Sequence, residues 1–213
     1  YAQKEYTKVA KSNGSAVTID EQLSKENPKL YLPYLAISLN NQGDNHNAQK
    51  EYTKAAECYS RAVTIYEQLS KENPKVYLPD LAMSLTNQGS NYYDQGEYTK
   101  AAKFLDRSVT IYEQLSKENL KVYLPNLAKS LNTQGCNYYA LGEYTKTAES
   151  NGRAVTIYEQ LAKENPKVYQ LNLAECSYTQ GCSFYALREC AKAAELFDRA
   201  VTIYEQLSKE NPK

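Results

Sequence analysis

The side chains that could carry chemistry are few and scattered along this chain. His46 is the only histidine, and the five cysteines include no Cys-x-x-Cys pair and have no His-rich neighbourhood. No phosphate-binding loop, paired-acid cleft, nucleophile elbow or metal-ligand spacing occurs. The odd cysteine count argues against a disulfide framework and a zinc site. The sequence therefore predicts no catalytic activity, no cofactor and no metal, and the cysteines are interpreted as small apolar residues: Cys58, Cys136, Cys176, Cys182 and Cys190.

Composition narrows the class of partner. Lys plus Arg and Asp plus Glu are both 25, so the formal net charge is zero and no long-range field attracts nucleic acid or anionic membrane. No apolar run approaches the roughly 20 residues of a membrane-spanning helix. We expect a protein of the reducing cytoplasm, although the chain begins with Tyr1 rather than Met and a preceding targeting segment is left open.

One segment of the sequence recurs five times. The pattern VTIxEQLxKENxK begins at Val17 and returns every 46 residues, and a KEYTKxA-like string keeps the same register. Self-similarity at a fixed period is the mark of repeat architectures. We therefore expect a single domain over residues 1–213, made of a half-repeat at 1–29 and four repeats at 30–75, 76–121, 122–167 and 168–213.

Each repeat contains two helical patterns. Apolar residues from Ala55 to Leu69 are spaced by three and four, which predicts an amphipathic second helix of about 20 residues. In the first half of the next repeat, the stripe from Leu81 to Tyr92 predicts a first helix that opens at Pro79 and closes near Gly96. Glu-Asn-Pro ends the second helices. At Leu120, which replaces that proline once, we expect the turn to survive but to be looser, because Asn119 and the stripes on either side still mark it. Such helix pairs bury their apolar faces only by stacking on neighbouring repeats, so the fold class is all-α.

Small and aromatic positions inside the repeat indicate helix packing. A glycine inside each first helix marks a close crossing, for which we expect alanines of the second helix as partners: Gly43, Gly89, Gly135 and Gly181 against Ala56, Ala102, Ala148 and Ala194. An aromatic position filled by Tyr59 and Phe197 holds Asn13 and Asn151 elsewhere, and we expect Asn151→Tyr to raise the melting temperature. Favourable i,i+4 ion pairs of the second helices are expected on the surface: Glu57–Arg61, Glu149–Arg153 and Glu195–Arg199.

A period of 46 residues by itself favours HEAT or armadillo repeats, which run to about 40–47 residues. The series Gly89, Tyr92, Gly96, Tyr98 and Ala101, however, resembles the tetratricopeptide (TPR) signature of small residue, aromatic, turn glycine, aromatic and packing alanine. The whole chain resembles the long-helix TPR subclass and is similar to kinesin-light-chain-type repeats. That resemblance implies an alpha-alpha superhelix, a TPR-like solenoid of about four and a half helix-pair repeats.

The resemblance also implies a concave groove lined by the first helices, which binds a protein or peptide partner. It places three rows of residues on the groove floor. The rows are Asn40, Thr86, Asn132 and Tyr178; Asp44, Ser90, Cys136 and Cys182; and Asn47, Tyr93, Tyr139 and Tyr185. Amides and tyrosines at repeated spacing suit an extended peptide. A carboxylate-clamp partner is disfavoured because Lys129 is the only candidate lysine in the groove.

Several readings remain open from the sequence alone. The chain is interpreted as a scaffold for protein interaction; the alternatives are a structural or designed array without a specific ligand, and a non-catalytic fragment of a larger signalling protein. A thiol pair between Cys136 and Cys182 is an alternative to unpaired packing. The last second helix carries Val201, Ile203 and Tyr204 with no following repeat to cover them, so we expect end-to-end self-association through the terminal helices.

Overall fold

The structure, a computed structural model, describes the backbone of residues 2–210 and the side chains of residues 14–210. Within that range every regular element is an α-helix, and helices α2 to α9 each contain 21 residues. Their bounds are α1 Ala2–Glu26, α2 Pro28–Ala48, α3 Tyr52–Glu72, α4 Pro74–Asp94, α5 Tyr98–Glu118, α6 Leu120–Ala140, α7 Tyr144–Glu164, α8 Pro166–Ala186 and α9 Cys190–Glu210.

The helices divide between two compact halves, Tyr1–Ile111 and Tyr112–Lys213, whose boundary lies within α5. In the N-terminal half, α2 packs against α1 and α3, and α3 packs against α4. In the C-terminal half, α7 packs against α6 and α8, and α8 packs against α9. Even-numbered helices are the first helices of the repeats and odd-numbered ones the second helices.

A single asparagine links each second helix to the following first helix. Asn73 has φ −140° and ψ 80° and donates its N–H to the Leu69 carbonyl at 2.9 Å, and Pro74 begins α4. Proline suits this first position because its N–H would have no helical partner. The expected opening at Pro79 is wrong, since Pro79 lies inside α4, as Pro33 lies inside α2 and Pro125 inside α6.

The proline-free turn before Leu120 keeps the same geometry. Asn119 has φ −147° and ψ 86°, close to the angles of Asn73, and its side chain accepts from the Val122 N–H at 3.4 Å. The turn therefore survives, as expected, but the expected looser geometry is wrong because its backbone angles match those of the turn that contains proline. The side-chain cap on Val122 helps to fix the helix start without the ring of proline.

The turn from first to second helix needs a left-handed residue. Gly96 and Gly142 have φ +75°, whereas Lys50 and Arg188 occupy the equivalent positions with φ 60° and 66°. A side chain in this region clashes with the following carbonyl, at a cost of about 1 kcal/mol or more. Two of the four turns are therefore strained relative to the other two.

The apolar stripe of each second helix is buried wherever a first helix follows. In the N-terminal half, Val63, Tyr66 and Leu69 of α3 pack with Leu81 and Leu85 of α4, and Tyr66 is only 1% exposed. The ring of Tyr66 lies 6.5 Å from that of Tyr77. This contact forms the repeating core.

The C-terminal half repeats the same contact between α7 and α8. Val155 and Tyr158 of α7 are buried, and the Tyr158 ring lies 6.3 Å from that of Tyr169. On α9 the equivalents Val201 and Tyr204 are 54% and 39% exposed. The stripe of α9 is thus open in this structure, apart from Ile203, which is buried.

The glycines of the first helices do mark close crossings, but their partners differ from those expected. A Cβ added to Gly89 would lie 2.6 Å from Leu105 Cγ, and one added to Gly43 would lie 2.5 Å from the Tyr59 ring. The side chain opposite the glycine is therefore the residue of the aromatic position, not the alanine three residues before it. Asn13, the member of that position in the half-repeat, lies outside the described side chains.

The arginines of the second helices pair between helices rather than within one. Arg107 donates to Glu67 at 2.5 Å and Arg153 donates to Glu113 at 2.5 Å, each partner lying 40 residues earlier. Arg61 and Glu21 form the same contact, as do Arg199 and Glu159. This corrects the expected i,i+4 pairs. The bonds are half-exposed, so each contributes less than about 1 kcal/mol.

Candidate functional site

The predicted groove residues fall into two halves of the molecule, and the N-terminal half differs most from expectation. Asn40 and Thr86 are buried, with 3% and 4% of their surface exposed. Asn40 Nδ2 donates to Ser84 Oγ at 2.7 Å, and the Thr86 hydroxyl lies 2.7 Å from that of Ser108. These two residues face neighbouring helices, so we leave them out of the candidate binding surface.

Asp44 of the second row is exposed and held in place. Its Oδ1 accepts from the Tyr59 hydroxyl at 2.7 Å and from Asn87 Nδ2 at 3.4 Å. Burial and the hydrogen bond to Asp44 raise the pKa of Tyr59, so the phenol stays protonated and remains the donor. Ser90, the next member of the row, is half-buried.

The third row forms an amide ladder between α2 and α4. Asn91, which is fully buried, donates to Asn47 Oδ1 at 2.8 Å, and Asn47 Nδ2 donates to Asp94 Oδ2 at 3.2 Å. Tyr93 is half-buried and its ring lies 5.4 Å from that of Tyr98. Asn47 therefore aligns the two first helices and positions Asp94 at the surface.

In the C-terminal half the predicted residues are more open. Tyr139, Tyr178 and Tyr185 are 40%, 55% and 64% exposed, and Asn132 is half-buried. The Tyr139 ring lies 5.4 Å from Tyr144, and the Tyr178 ring lies 5.5 Å from Phe197. The neighbouring rings limit the freedom of Tyr139 and Tyr178, which lowers the entropy lost when these two tyrosines contact a ligand.

The cysteines of the second row are free and weakly reactive. Cys136 and Cys182 are both half-buried and unpaired by a disulfide. Burial raises the pKa of both thiols, which disfavours the nucleophilic thiolate. The alternative of a thiol pair is not what the structure shows, and packing is the observed role.

One row on the open face was missed. Ile37 and Met83 are 48% and 43% exposed, and Asn41 is exposed one helical turn further along α2. Spacings of three, four and seven place positions 37, 41 and 44 on one face of α2. Positions 40 and 47 lie on the flank of α2 that contacts α4. Only the contacts between helices separate face from flank, because both have helical spacing.

The equivalents of this row in the C-terminal half carry charges and hydroxyls. Lys129 and Glu175 replace Ile37 and Met83 and are exposed. Thr133 and Thr179 replace Asn41 and Asn87 and are half-buried. Both threonines donate to the backbone carbonyl four residues earlier, Thr133 to Lys129 at 3.0 Å. The two halves therefore present different chemistry at matching positions.

His46 has a structural role. Its Nδ1 lies 2.6 Å from Glu51 Oε2, and Glu51 also accepts from Lys54 at 3.0 Å. Hydrogen bonds from Lys54 and then from His46 lower the pKa of Glu51. In the other repeats an aromatic ring takes this place beneath the lysine, as Tyr92 does 5.5 Å below Lys100. His46 thus occupies a position where other repeats pack an aromatic ring.

Neither a metal-ligand cluster nor a membrane-crossing helix occurs among the described residues. In the described part of the chain, no three His, Cys, Asp or Glu side chains lie close enough together to hold a metal ion. Across the same part of the chain, no helix is long and apolar enough to cross a membrane.

The tetratricopeptide repeat family model matches residues 34–114. No curated protein sequence matches the chain. The structure is similar to a putative kinesin light chain from Podosopora anserina with nearly identical TPR-like repeats, at a TM-score of 0.65 and 16% identity over 99% of this chain and 95% of that one.

Two further structures have the same fold. BtubC (BKLC) from P. vanneervenii matches with a TM-score of 0.56 and 19% identity, over 98% of this chain and 94% of that one. MamA matches with a TM-score of 0.61 and 18% identity, over 97% of this chain and 95% of that one. The resemblance to tetratricopeptide repeats and the all-α helix-pair fold are confirmed. Repeats of this kind are generally non-catalytic scaffolds that mediate protein–protein interaction.

Proposed function

We propose that this TPR-like repeat protein is an interaction scaffold that binds an extended segment of a partner protein along the open faces of its first helices. It carries out no reaction of its own. The observation that supports this function is the contrast between the two kinds of helix. The stripes of the second helices α3 and α7 are buried by neighbours, while the first helices keep a row of exposed side chains free for a partner.

The chemistry of the open faces suits a peptide backbone. Asn41 is an exposed amide in the N-terminal half, and Tyr139 and Tyr185 are exposed rings in the C-terminal half. An amide both donates to and accepts from a peptide group, and a tyrosine supplies contact area with only two side-chain torsions to fix. An extended ligand is favoured because, within each half taken by itself, the exposed residues recur on successive first helices.

The proposal is tested by capturing partners with the wild-type chain and with a Tyr139→Ala, Tyr185→Ala double variant. We expect the variant to lose partners that the wild type retains. Thr156→Ala is the matched control, because Thr156 is exposed on the second helix α7. Partners retained equally by all three proteins would remove the tyrosines from the binding surface. If the wild-type chain captures no protein or peptide at all, the scaffold function is wrong and the alternative of an array without a ligand takes its place.

A second interaction is favoured by the open stripe of α9. We propose that this stripe supports end-to-end self-association, because Val201 and Tyr204 are exposed where Val155 and Tyr158 of α7 are buried by a following helix. Light scattering over a concentration series should show a mass that rises with concentration, and Val201→Lys with Tyr204→Glu should abolish the rise. A strictly monomeric wild type at millimolar concentration would refute this proposal without affecting peptide binding.

A further inference from the structure

The open face shared by α2 and α4 combines an apolar end with an acidic end. We call it the α2/α4 face and define it by Ile37 and Asp44 of α2 and Met83, Asn87 and Asp94 of α4. Ile37 and Met83 are the exposed apolar pair, and Asp44 and Asp94 are exposed carboxylates. The bond from Asn87 to Asp44 shows that the two helices lie side by side here.

Both carboxylates are held by neutral donors. Asp44 accepts from the Tyr59 hydroxyl and Asp94 accepts from Asn47. No ion pair within residues 14–210 includes either carboxylate. Both lie close enough to Tyr59 to raise the pKa of its phenol, in addition to the larger effect of burial. The two negative charges therefore share one neighbourhood, and Lys50 and Lys54, described residues that line the same cleft as Asp94, form no ion pair with it.

The C-terminal half provides an internal comparison. Cys136 and Ala140 of α6 occupy the positions equivalent to Asp44 and Ala48, and Cys182 and Ala186 of α8 occupy those equivalent to Ser90 and Asp94. The repeat itself does not require an acidic residue at these places. The pair of carboxylates at these two positions occurs on the α2/α4 face and not on the equivalent face of the C-terminal half, where Glu175 and Lys129 lie at the other end.

Helix geometry sets the spacing that a ligand must match. Position 44 lies seven residues beyond position 37, or about 10 Å along the axis, and position 94 lies eleven beyond position 83, or about 16 Å. A peptide in the extended polyproline II conformation advances about 3.1 Å per residue and returns to the same face every three residues. An apolar side chain at the Ile37/Met83 end is thus followed three residues later by one that reaches Asp44 and five residues later by one that reaches Asp94.

From this spacing and charge we propose that the α2/α4 face binds an extended, basic segment of a partner protein, with the pattern apolar-x-x-basic-x-basic. Lys or Arg at the two basic positions pairs with Asp44 and Asp94, and the apolar side chain packs on Ile37 and Met83. This rests on the proposed scaffold function and specifies the chemical class of one partner segment. Charge complementarity selects this occupant over an acidic one.

The test uses two blocked peptides, Leu-Ser-Ala-Lys-Ser-Lys and Leu-Ser-Ala-Glu-Ser-Glu, titrated into the isotope-labelled chain and followed by NMR chemical shifts. The lysine peptide should bind at least about tenfold more tightly than the glutamate peptide, with shift changes in α2 and α4. Asp44→Asn and Asp94→Asn each keep an acceptor oxygen, and each should weaken the lysine peptide by about two- to fivefold, the range of exposed ion pairs. Raising the salt concentration should have the same direction of effect.

Matched variants separate the two levels of the proposal. Glu175→Gln, in the C-terminal half, should leave the preference for lysine unchanged, and thermal melts should show that all variants are folded. Equal binding of the two peptides, or a preference that survives the Asp44→Asn, Asp94→Asn double variant, overturns the basic-segment inference and leaves scaffold function standing. Failure of both peptides to bind, together with capture of a partner by wild type, also overturns the inference alone. Failure of both peptides and of capture overturns the two together.

Discussion

The aromatic position opposite the first-helix glycines offers the sharpest test of the core. Asn151 fills it in the third full repeat and is fully buried, with Oδ1 only 2.4 Å from a Cβ built on Gly135. Neither its Oδ1 nor its Nδ2 has a hydrogen-bond partner among the described residues. Leu105 and Tyr59 fill the same position in other repeats and are also buried. We predict that Asn151→Leu stabilises the protein.

The size of the effect follows from three contributions. Each of the two unpaired buried polar atoms carries a desolvation penalty of about 1–3 kcal/mol, and the substitution removes both. Burying a leucine side chain contributes roughly 2 kcal/mol more, and repacking around the larger side chain costs about 1–3 kcal/mol. The three ranges sum to a net gain of about 1–7 kcal/mol in the free energy of unfolding. We expect a value of about 2–3 kcal/mol, toward the lower end, because the larger side chain must fit against Gly135. For a chain of this length that corresponds to a rise of about 5–10 °C in melting temperature.

The measurement is urea and thermal unfolding followed by far-UV circular dichroism. Asn126→Leu is the matched control, because Asn126 is exposed on α6 and its replacement should change stability by less than about 0.5 kcal/mol. An Asn151→Leu variant with an unchanged or lower unfolding midpoint would refute the argument. It would mean that the amide is satisfied in solution or that the position cannot accept a larger side chain.

Four further substitutions test three separate features. Gly89→Ala should lower stability by about 1–2 kcal/mol, because the added Cβ would lie 2.6 Å from a carbon of Leu105. Gly14→Ala should raise stability by up to about 1 kcal/mol, because the nearest atom to the added Cβ lies at 3.8 Å and alanine favours the helix. Urea unfolding of the two variants measures both changes. Arg188→Gly should raise the unfolding midpoint by removing left-handed strain worth about 1 kcal/mol, and a lower midpoint would count against strain at that turn. Burial raises the pKa of Asp80, so the folded protein is destabilised as the carboxyl ionises when the pH rises above about 4. Asp80→Asn should therefore melt higher than wild type at pH 7 and at the same temperature as wild type at acidic pH. A difference in melting temperature that does not change with pH would exclude ionisation of Asp80 as the cause.

The fold could be predicted from the sequence because the repeat supplies the same information several times. A stripe such as Val63, Tyr66 and Leu69 could belong to many helices, but its return every 46 residues shows that it packs against a neighbour of constant type. The start of α4 was misplaced because proline is tolerated both at Pro74 and at Pro79. Only the observed helix shows that the former is the first residue.

The site was harder to predict because side-chain direction depends on how helices cross. Asn40 and Asn41 differ by one residue, yet the former is buried against α4 and the latter is exposed. Likewise the partner of Arg107 is Glu67 on another helix and not an acidic residue of its own helix. Spacing along one helix identifies which residues share a face, and the contacts between helices decide whether that face is open.

Core and binding face are coupled in each repeat through the residue after the glycine. Tyr59 donates to Asp44, which follows Gly43, whereas Cys136 follows Gly135 and has no carboxylate to offer a tyrosine at position 151. The gain expected for Asn151→Tyr should therefore be smaller than for leucine, and it should grow when Cys136→Asp is added. A hydrogen bond to a carboxylate is worth about 1.5–3 kcal/mol, which sets the coupling energy expected in a double-mutant cycle measured by urea unfolding. Additive effects, within about 0.5 kcal/mol, would show that the phenol finds another partner and that the groove residue is chosen independently of the core.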